Sequence, residues 1–328
     1  PFNVASGRGV PCSWPTSRIS PMDPEAGAGD ATSSSSDDVD PQVVEEQGKD
    51  GNRSEGDSSE DERCVPSYPF PSDFQLAVGQ STLEVVPHRC SQHPGGTRVI
   101  VLFFPGVHGG VGPCRTPPNN FDEDALYPTL ARSLTATLPV DCYRCSWPFM
   151  RPPLRYAVDA ACRLCHHALT EATADQAEGD TTREIRLVFV GHSLGGAVVM
   201  HASEVVARLF GADGTGGRQM SGLEKSTVRV GAVCTLNAAL DVRSVRRLDE
   251  EPFATLVNSR ALMICGSGDL VVPPGATESL YEAFPSKQKR KLVCPDGTHD
   301  LFTFKEQLVD EISQLVRDTL GDFYTGRQ

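Results

Sequence analysis

The sequence predicts an α/β fold, built as a doubly wound and mostly parallel sheet with helices on both sides. Apolar, β-branched runs alternate with runs of helical spacing over most of the chain, which is typical of parallel strands joined by helices. One run, residues 98–104, forms a continuous apolar strand of the kind that is buried on both faces of a parallel sheet. Another, residues 185–190, leads into a glycine-rich turn with a serine at its centre.

Composition divides the chain into a tail, residues 1–65, and a folded domain, residues 66–328. The tail is rich in Ser, Gly, Pro, Asp and Glu, so it buries too little apolar surface to offset the entropy of ordering and is predicted to be disordered. Residues 22–63 hold 14 acidic and 3 basic residues, a net charge of −11 out of −13 for the whole chain. We interpret this segment as a solvating acidic tail that can also serve as a docking element for a protein partner.

The folded domain is nearly neutral, because the acidity belongs to the tail. A neutral domain without a basic patch argues against nucleic-acid binding. No apolar run approaches the roughly 18 residues that span a bilayer, and residues 1–21 have neither signal-peptide nor clear transit-peptide character. Many of the 11 cysteines lie inside strand-like runs, as buried reduced thiols do. These observations predict a cytoplasmic protein without a transmembrane segment.

The expected elements follow from hydrophobic periodicity and from turn residues. The expected strands are residues 74–78, 81–86, 98–104, 140–145, 185–190, 228–236, 261–265 and 290–294. The expected helices are residues 122–136, 154–172, 197–210, 242–248, 275–284 and 304–320. The first two strands are predicted to form a hairpin, and the others to alternate with helices.

A strand, a sharp turn and a helix meet at Gly191-His192-Ser193-Leu194-Gly195-Gly196. The pattern Gly-x-Ser-x-Gly in this setting is typical of a nucleophile elbow, a strained turn that presents a serine hydroxyl at the end of the sheet. The residues two before and two after the serine crowd each other, and glycine at both positions meets that need. We therefore predict Ser193 as the catalytic nucleophile.

A serine hydroxyl needs a base within hydrogen-bond reach and an acid that fixes the tautomer of the base. Asp269 follows the strand at 261–265 in a glycine-rich turn, and His299 follows the strand at 290–294. The carboxyl ends of parallel strands share one edge of the sheet, where ligands bind. We predict Asp269 as the acid and His299 as the base, with Asp241 as the alternative acid.

An acyl-transfer site also needs N–H donors for the developing oxyanion. One donor is expected from the backbone of Leu194, which directly follows the nucleophile at the start of a helix. The other is expected from the turn after the strand at 98–104, where we favour the Val107 N–H over that of His108. His108 and His192 are the side chains that we predict to contact the substrate.

The spacing of four cysteines matches a zinc ribbon: Cys142-x-x-Cys145, then 16 residues, then Cys162-x-x-Cys165. The local structure argues against zinc, because a strand points residues 142 and 145 to opposite faces and the second pair lies in a helical run. Zinc knuckles hold each pair of cysteines on a tight turn. We therefore predict no metal site.

Four short motifs stand out: Gly191–Gly196, Gly266-Ser267-Gly268-Asp269, Gly297-Thr298-His299 and the Pro105-Gly106 turn. Together they resemble the motifs of the α/β-hydrolase superfamily over residues 68–325, and the resemblance implies the same nucleophile, acid and base. Many members have His-Gly where this chain has Pro105-Gly106. Only 24 residues, 237–260, separate two core strands where many members insert a helical cap. The chain therefore resembles small, cap-less members similar to esterases and dienelactone hydrolases.

The residues and the resemblance lead to one expectation, a serine hydrolase that cleaves a carboxylic ester or thioester through an acyl-enzyme on Ser193. Its partner is then a small-molecule ester or acyl substrate, and the chemistry requires no metal or cofactor. Two alternatives stay open. The same triad can cleave a peptide or amide bond, and a non-catalytic protein of this fold can bind a ligand or a partner.

Overall fold

The computed structural model describes residues 74–78, 81–90, 97–107, 125–147, 151–174, 183–210, 226–240 and 253–321. The predicted acidic tail, residues 1–65, lies outside this part of the chain, as does the short helix expected at 242–248. The turn of the predicted hairpin, residues 79–80, also lies outside it.

Within the described ranges, eight strands form one sheet in the order β1-β2-β4-β3-β5-β6-β7-β8. The strands are β1 (Phe74–Val78), β2 (Ser81–His88), β3 (Thr97–Phe104), β4 (Val140–Ser146), β5 (Arg183–His192), β6 (Ser226–Leu236), β7 (Arg260–Gly266) and β8 (Lys289–Cys294). β1 pairs antiparallel with β2, β2 pairs antiparallel with β4, and the strands from β3 to β8 are parallel. The predicted doubly wound, mostly parallel sheet is confirmed.

Helices cover both faces of the sheet. The α-helices in the described ranges are α1 (Leu126–Thr137), α2 (Leu154–Ala174), α3 (Leu194–Phe210), α4 (Pro274–Ala283) and α5 (Lys305–Gly321). α1 and α5 share a core with Val101 and Val188, whereas α2, α3 and α4 share another with Ile100 and Phe189. Successive strand residues point to opposite faces, so each central strand contributes to both cores. None of these helices is both long and apolar enough to cross a membrane.

Helix α3 begins at Leu194, three residues before the predicted start, and β5 runs on to His192. The glycines at 195 and 196 suggested a longer turn. In the structure a single residue, Ser193, makes the turn in the left-handed region at φ 54°. The two glycines instead form the first turn of the helix, where their small size lets it pack closely against the end of β3 and against Ala238, just after β6.

The two cysteines of β4 point to opposite faces, as predicted. Cys142 packs in the core with α1 and α5, and Cys145 packs in the core with α2 and α3. Burial raises the pKa of the Cys145 thiol, and it raises that of Cys162 on α2 to about 12. Burial therefore disfavours the thiolate, the form that binds zinc, in the metal-free protein.

The sheet order reverses beside β3, because β4 lies on one side of it and β5 on the other. Ligands of open parallel sheets bind at such a switch point, beyond the carboxyl ends of the strands. The turn at Pro105-Gly106 follows β3, and Ser193 follows the neighbouring strand β5. Asp269 and His299 follow β7 and β8 at the same edge.

Candidate active site

Ser193 is held in its turn by the backbone around it. Its N–H donates to the Leu236 carbonyl at 2.9 Å, and its carbonyl accepts from the Gly196 N–H at 2.9 Å and the Ala239 N–H at 3.0 Å. A non-glycine residue at positive φ is strained, and such strain concentrates at functional sites when the surroundings impose it. The end of β6 and the first turn of α3 impose it here.

The elbow leaves no room for a side chain at the positions two before and two after the serine. A Cβ on Gly191 would lie 2.1 Å from the Gly195 carbonyl oxygen, and a Cβ on Gly195 would lie 2.2 Å from the Phe104 carbonyl oxygen. Both distances are far below van der Waals contact. The sequence expectation that both positions must lack a Cβ has this steric cause, and the second contact also presses α3 against the end of β3.

Asp269 and His299 are joined by a hydrogen bond, with 2.8 Å between His299 Nδ1 and Asp269 Oδ2. The Asp269 side chain is fully buried, whereas that of His299 is 24% exposed. The other carboxylate oxygen, Oδ1, accepts from the N–H groups of Val271 at 2.8 Å and Val272 at 2.9 Å. The carboxylate is therefore fixed by its own loop and faces the imidazole.

The nucleophile and the base meet through the residue that precedes the serine. His192 Nε2 lies 2.8 Å from the His299 carbonyl oxygen, and the two ring centroids are 4.9 Å apart. A carbonyl only accepts, so His192 Nε2 carries the proton. In the described part of the chain the Ser193 hydroxyl makes no hydrogen bond to His299. Bonds between nucleophile and base commonly tighten only when substrate binds.

The turn after β3 lies directly against the serine. A Cβ on Gly106 would lie 3.4 Å from Ser193 Cβ and 3.2 Å from His192 Nδ1. The Gly106 carbonyl accepts from Trp147 Nε1 at 2.9 Å, and the Val107 carbonyl accepts from the Arg151 N–H at 2.7 Å. The predicted oxyanion turn is thus anchored next to the nucleophile by the segments after β4.

The second predicted oxyanion donor is the first residue of a helix. The N–H of Leu194 begins α3, and the first N–H groups of a helix have no acceptor within it. The roles of Leu194 and Val107 as donors stay predictions. His108 and Asp241 lie outside the described residues. His192 is buried, with its Nε2 hydrogen-bonded to a main-chain carbonyl, and its contact with substrate stays a prediction.

Sequence reasoning missed Asn237, which directly follows β6. This residue is fully buried and has φ 46°. Its Nδ2 donates to the His299 carbonyl at 2.7 Å and the Thr298 carbonyl at 3.2 Å, and its Oδ1 accepts from the Gly266 N–H at 2.9 Å. The available signal was a polar residue at the carboxyl end of a strand that lies between those of the serine and the acid.

No family model matches the chain. Among solved structures, Est1E from Butyrivibrio proteoclasticus is similar with a TM-score of 0.51 and 12% sequence identity, over 76% of this chain and 99% of that chain. The same protein bound to ferulic acid gives a TM-score of 0.50 and 14% identity, over 76% of this chain and 99% of that chain. A putative hydrolase from Agrobacterium vitis S4 gives a TM-score of 0.50 and 15% identity, over 75% of this chain and 98% of that chain.

At these identities the likeness shows a shared fold. The strand order, the elbow after β5 and the near-complete cover of the similar chains agree on one fold. The protein has the α/β-hydrolase fold, as the resemblance of its motifs implied.

Proposed function

We propose that this protein is a serine hydrolase that cleaves a carboxylic ester or thioester through an acyl-enzyme on Ser193. The hydrogen bond between Asp269 and His299 carries the proposal, because it pairs an acid and a base from two strand ends beside a nucleophile elbow. The shared fold supports the same class. One similar structure, that of Est1E, holds ferulic acid, and a carboxylic acid is what ester hydrolysis releases.

The tautomer of the base follows from its partner. An ionised carboxylate only accepts hydrogen bonds, so His299 Nδ1 carries the proton that is shared with Asp269. Its Nε2 is then free of a proton and has the lone pair that a general base needs. In the proposed reaction this nitrogen takes the Ser193 proton while Oγ attacks the carbonyl carbon of the substrate.

The attack converts the carbonyl oxygen into an oxyanion, which the N–H groups of Leu194 and Val107 are proposed to bind. One such donor contributes on the order of 3 kcal/mol to lowering the barrier in related chemistry. His299 then gives its proton to the leaving group, and an ester bond to Ser193 replaces the bond that breaks. The same imidazole deprotonates a water molecule, which attacks this acyl-enzyme, and it then returns the proton to the Ser193 oxygen as the carboxylic acid is released.

A fluorophosphonate probe, which reacts with activated serine nucleophiles, tests the assignment. We expect wild type to be labelled and Ser193→Ala to be unlabelled with its fold intact. Ser203→Ala is a matched control, because Ser203 is a buried serine of α3, the helix that follows the elbow, and donates to the Met200 carbonyl; it should label as wild type does. Folded wild type that resists the probe would refute the proposal and favour a binding protein, whereas a labelled Ser193→Ala would refute Ser193 as the nucleophile and point to another residue.

The first alternative, cleavage of a peptide or amide bond by the same triad, is tested by comparing ester and peptide substrates that share one acyl group. The proposal predicts faster turnover of the ester or thioester, since a cap-less site gathers little binding energy for orienting a peptide amide. Preferential cleavage of the peptide would indicate that Ser193, Asp269 and His299 form the catalytic triad of an amidase.

A further inference from the structure

We propose that Asn237 is a positioning residue for His299, and that its side-chain amide sets the place of the base relative to the nucleophile and the acid. The inference rests on the proposed function, since it concerns the same base. It assigns a role to a residue that no sequence motif marks and that does not touch the reacting atoms.

Two side chains converge on the carbonyl oxygen of the base itself. Asn237 Nδ2 donates to the His299 carbonyl at 2.7 Å, and His192 Nε2 donates to the same oxygen at 2.8 Å. A carbonyl oxygen has two lone pairs, so both are used. The donors come from the ends of β6 and β5, and they tie the backbone of the base to the strand that carries the nucleophile.

The same amide also reaches the loop of the acid. Asn237 Oδ1 accepts from the Gly266 N–H at 2.9 Å, three residues before Asp269. The loops of acid and base are in close contact at this point, because a Cβ on Gly266 would lie 2.0 Å from the Gly297 carbonyl oxygen. One side chain therefore sets the distance between the two loops whose side chains form the 2.8 Å bond of acid and base.

The cost of this arrangement points to a function. Asn237 is fully buried at φ 46°, a left-handed conformation that asparagine tolerates better than most residues. Its backbone N–H donates to the Ile264 carbonyl at 2.8 Å, so the main chain is pinned as well. Strained and fully bonded polar residues of this kind persist where the surroundings over-determine them, and they cluster at active sites.

Asn237→Gly is the decisive variant. Glycine adopts positive φ freely, so the turn keeps its conformation while all three side-chain hydrogen bonds are lost. Ser259→Ala is the matched control, because Ser259 is a buried residue whose hydroxyl donates to the Val230 carbonyl at 2.9 Å. It links β6 to the residue that directly precedes β7, at the amino end of β7, whereas Asn237 acts at the carboxyl ends of these strands.

The experiment measures kcat and KM for a p-nitrophenyl ester in wild type and both variants. We expect kcat of Asn237→Gly to fall at least tenfold with KM within twofold of wild type. A small displacement of the base reduces the stabilisation of the transition state without removing a substrate contact. Ser259→Ala should keep both constants within twofold of wild type. Should Asn237→Gly fail to fold, Asn237→Asp is measured instead. It keeps size and tolerance of positive φ, it lacks the amide donors, and the same criterion applies.

Two results would overturn the inference: a kcat of the Asn237 variant within twofold of wild type, or an equal fall of kcat in Ser259→Ala, which would indicate general destabilisation. Failure of the proposed function is distinguishable, because it shows as folded wild type that neither turns over the ester nor reacts with the fluorophosphonate probe. In that outcome His299 does not act as a base, so the positioning role of Asn237 is overturned as well.

Discussion

Arg98 and Asp141 form an ion pair that is almost entirely removed from solvent, with side-chain exposures of 2% and 1%. Arg98 Nε lies 2.7 Å from Asp141 Oδ2, and Arg98 Nη1 donates to the Ala172 carbonyl at 2.8 Å. The pair joins the amino ends of β3 and β4 to the last turn of α2. It therefore secures the edge of the sheet opposite the candidate active site.

Breaking this pair should destabilise the fold strongly. Arg98→Met leaves the Asp141 carboxylate buried without its cation, and we expect a loss of about 3–5 kcal/mol in the free energy of unfolding, measured with urea. The exposed pair of Arg163 and Asp159 on α2 is the control, and Arg163→Met should cost less than about 1 kcal/mol. A cost of Arg98→Met as small as that of the control would contradict this account.

Asp269→Asn should lower kcat by about a thousandfold or more and leave the fold intact. Asparagine keeps the shape of the acid and an oxygen for the backbone donors, but it no longer favours a proton on His299 Nδ1, so the lone pair at Nε2 is lost. The control is Asp296→Asn, an exposed aspartate of the neighbouring loop at φ 54°, which asparagine tolerates. Near-normal ester hydrolysis by Asp269→Asn would show that another carboxylate serves as the acid.

Gly191→Ala should destabilise the protein by at least about 3 kcal/mol and abolish turnover, because its Cβ would collide with the Gly195 carbonyl at 2.1 Å. Gly275→Ala offers a control of opposite sign. No atom lies within 4 Å of a Cβ at Gly275, in the first turn of α4, and alanine there should stabilise by about 0.5–1 kcal/mol. Thermal or urea unfolding measures both, and a Gly191→Ala protein of wild-type stability would disprove the steric account of the elbow.

The histidine at the end of β2 should make the protein less stable in mild acid. Burial, with the positive charges of Arg144 and Arg132, lowers the pKa of His88 to about 4. The unfolded chain has the ordinary pKa of 6.5 and takes up the proton first, so stability is complete above about pH 6.5 and declines as pH falls toward 4. The loss from pH 7 to pH 5 should be roughly 1–2 kcal/mol, reduced from the full linkage because the ring is partly exposed.

His88→Gln isolates this contribution, because glutamine can still accept the hydrogen bond that Arg144 Nε gives to His88 Nε2 at 3.0 Å. The unfolding free energies of wild type and variant, measured at pH 7 and pH 5, should differ by an amount that changes with pH in the stated direction. A difference that is the same at both pH values would exclude His88 as the titrating group.

The helix–strand alternation and the elbow could be predicted because their determinants are local. Gly191 acts within five residues of the chain, because its Cβ would collide with Gly195, and the apolar run of β3 shows its burial in its own composition. Even so, the sequence placed the start of α3 three residues late. Two glycines read as a turn, whereas the close contact of Gly195 with Phe104 makes them the first helical turn.

The catalytic acid illustrates what sequence spacing can predict and what it leaves open. The sequence placed Asp269 and Asp241 after neighbouring strands, and spacing alone left both as candidates. In the structure Asp269 lies 2.8 Å from His299 Nδ1, whereas Asp241 lies outside the described residues, and the role of Asp269 as the acid stays a prediction. For Asn237 the sequence offered only its place at the carboxyl end of a strand and not its contacts, since its partners are 29, 61 and 62 residues away.

The sequence by itself determined the fold class, the turn that presents Ser193 and the strand ends at which an acid and a base can stand. These features could be predicted because strand periodicity and the steric demands of a tight turn depend on residues that are close in the sequence. Only the tertiary structure decided which side chains meet, from the bond of Asp269 with His299 to the two donors on the His299 carbonyl. Such bonds need distances within about 3 Å, and only the packing of the sheet brings residues that are far apart in the chain to that range.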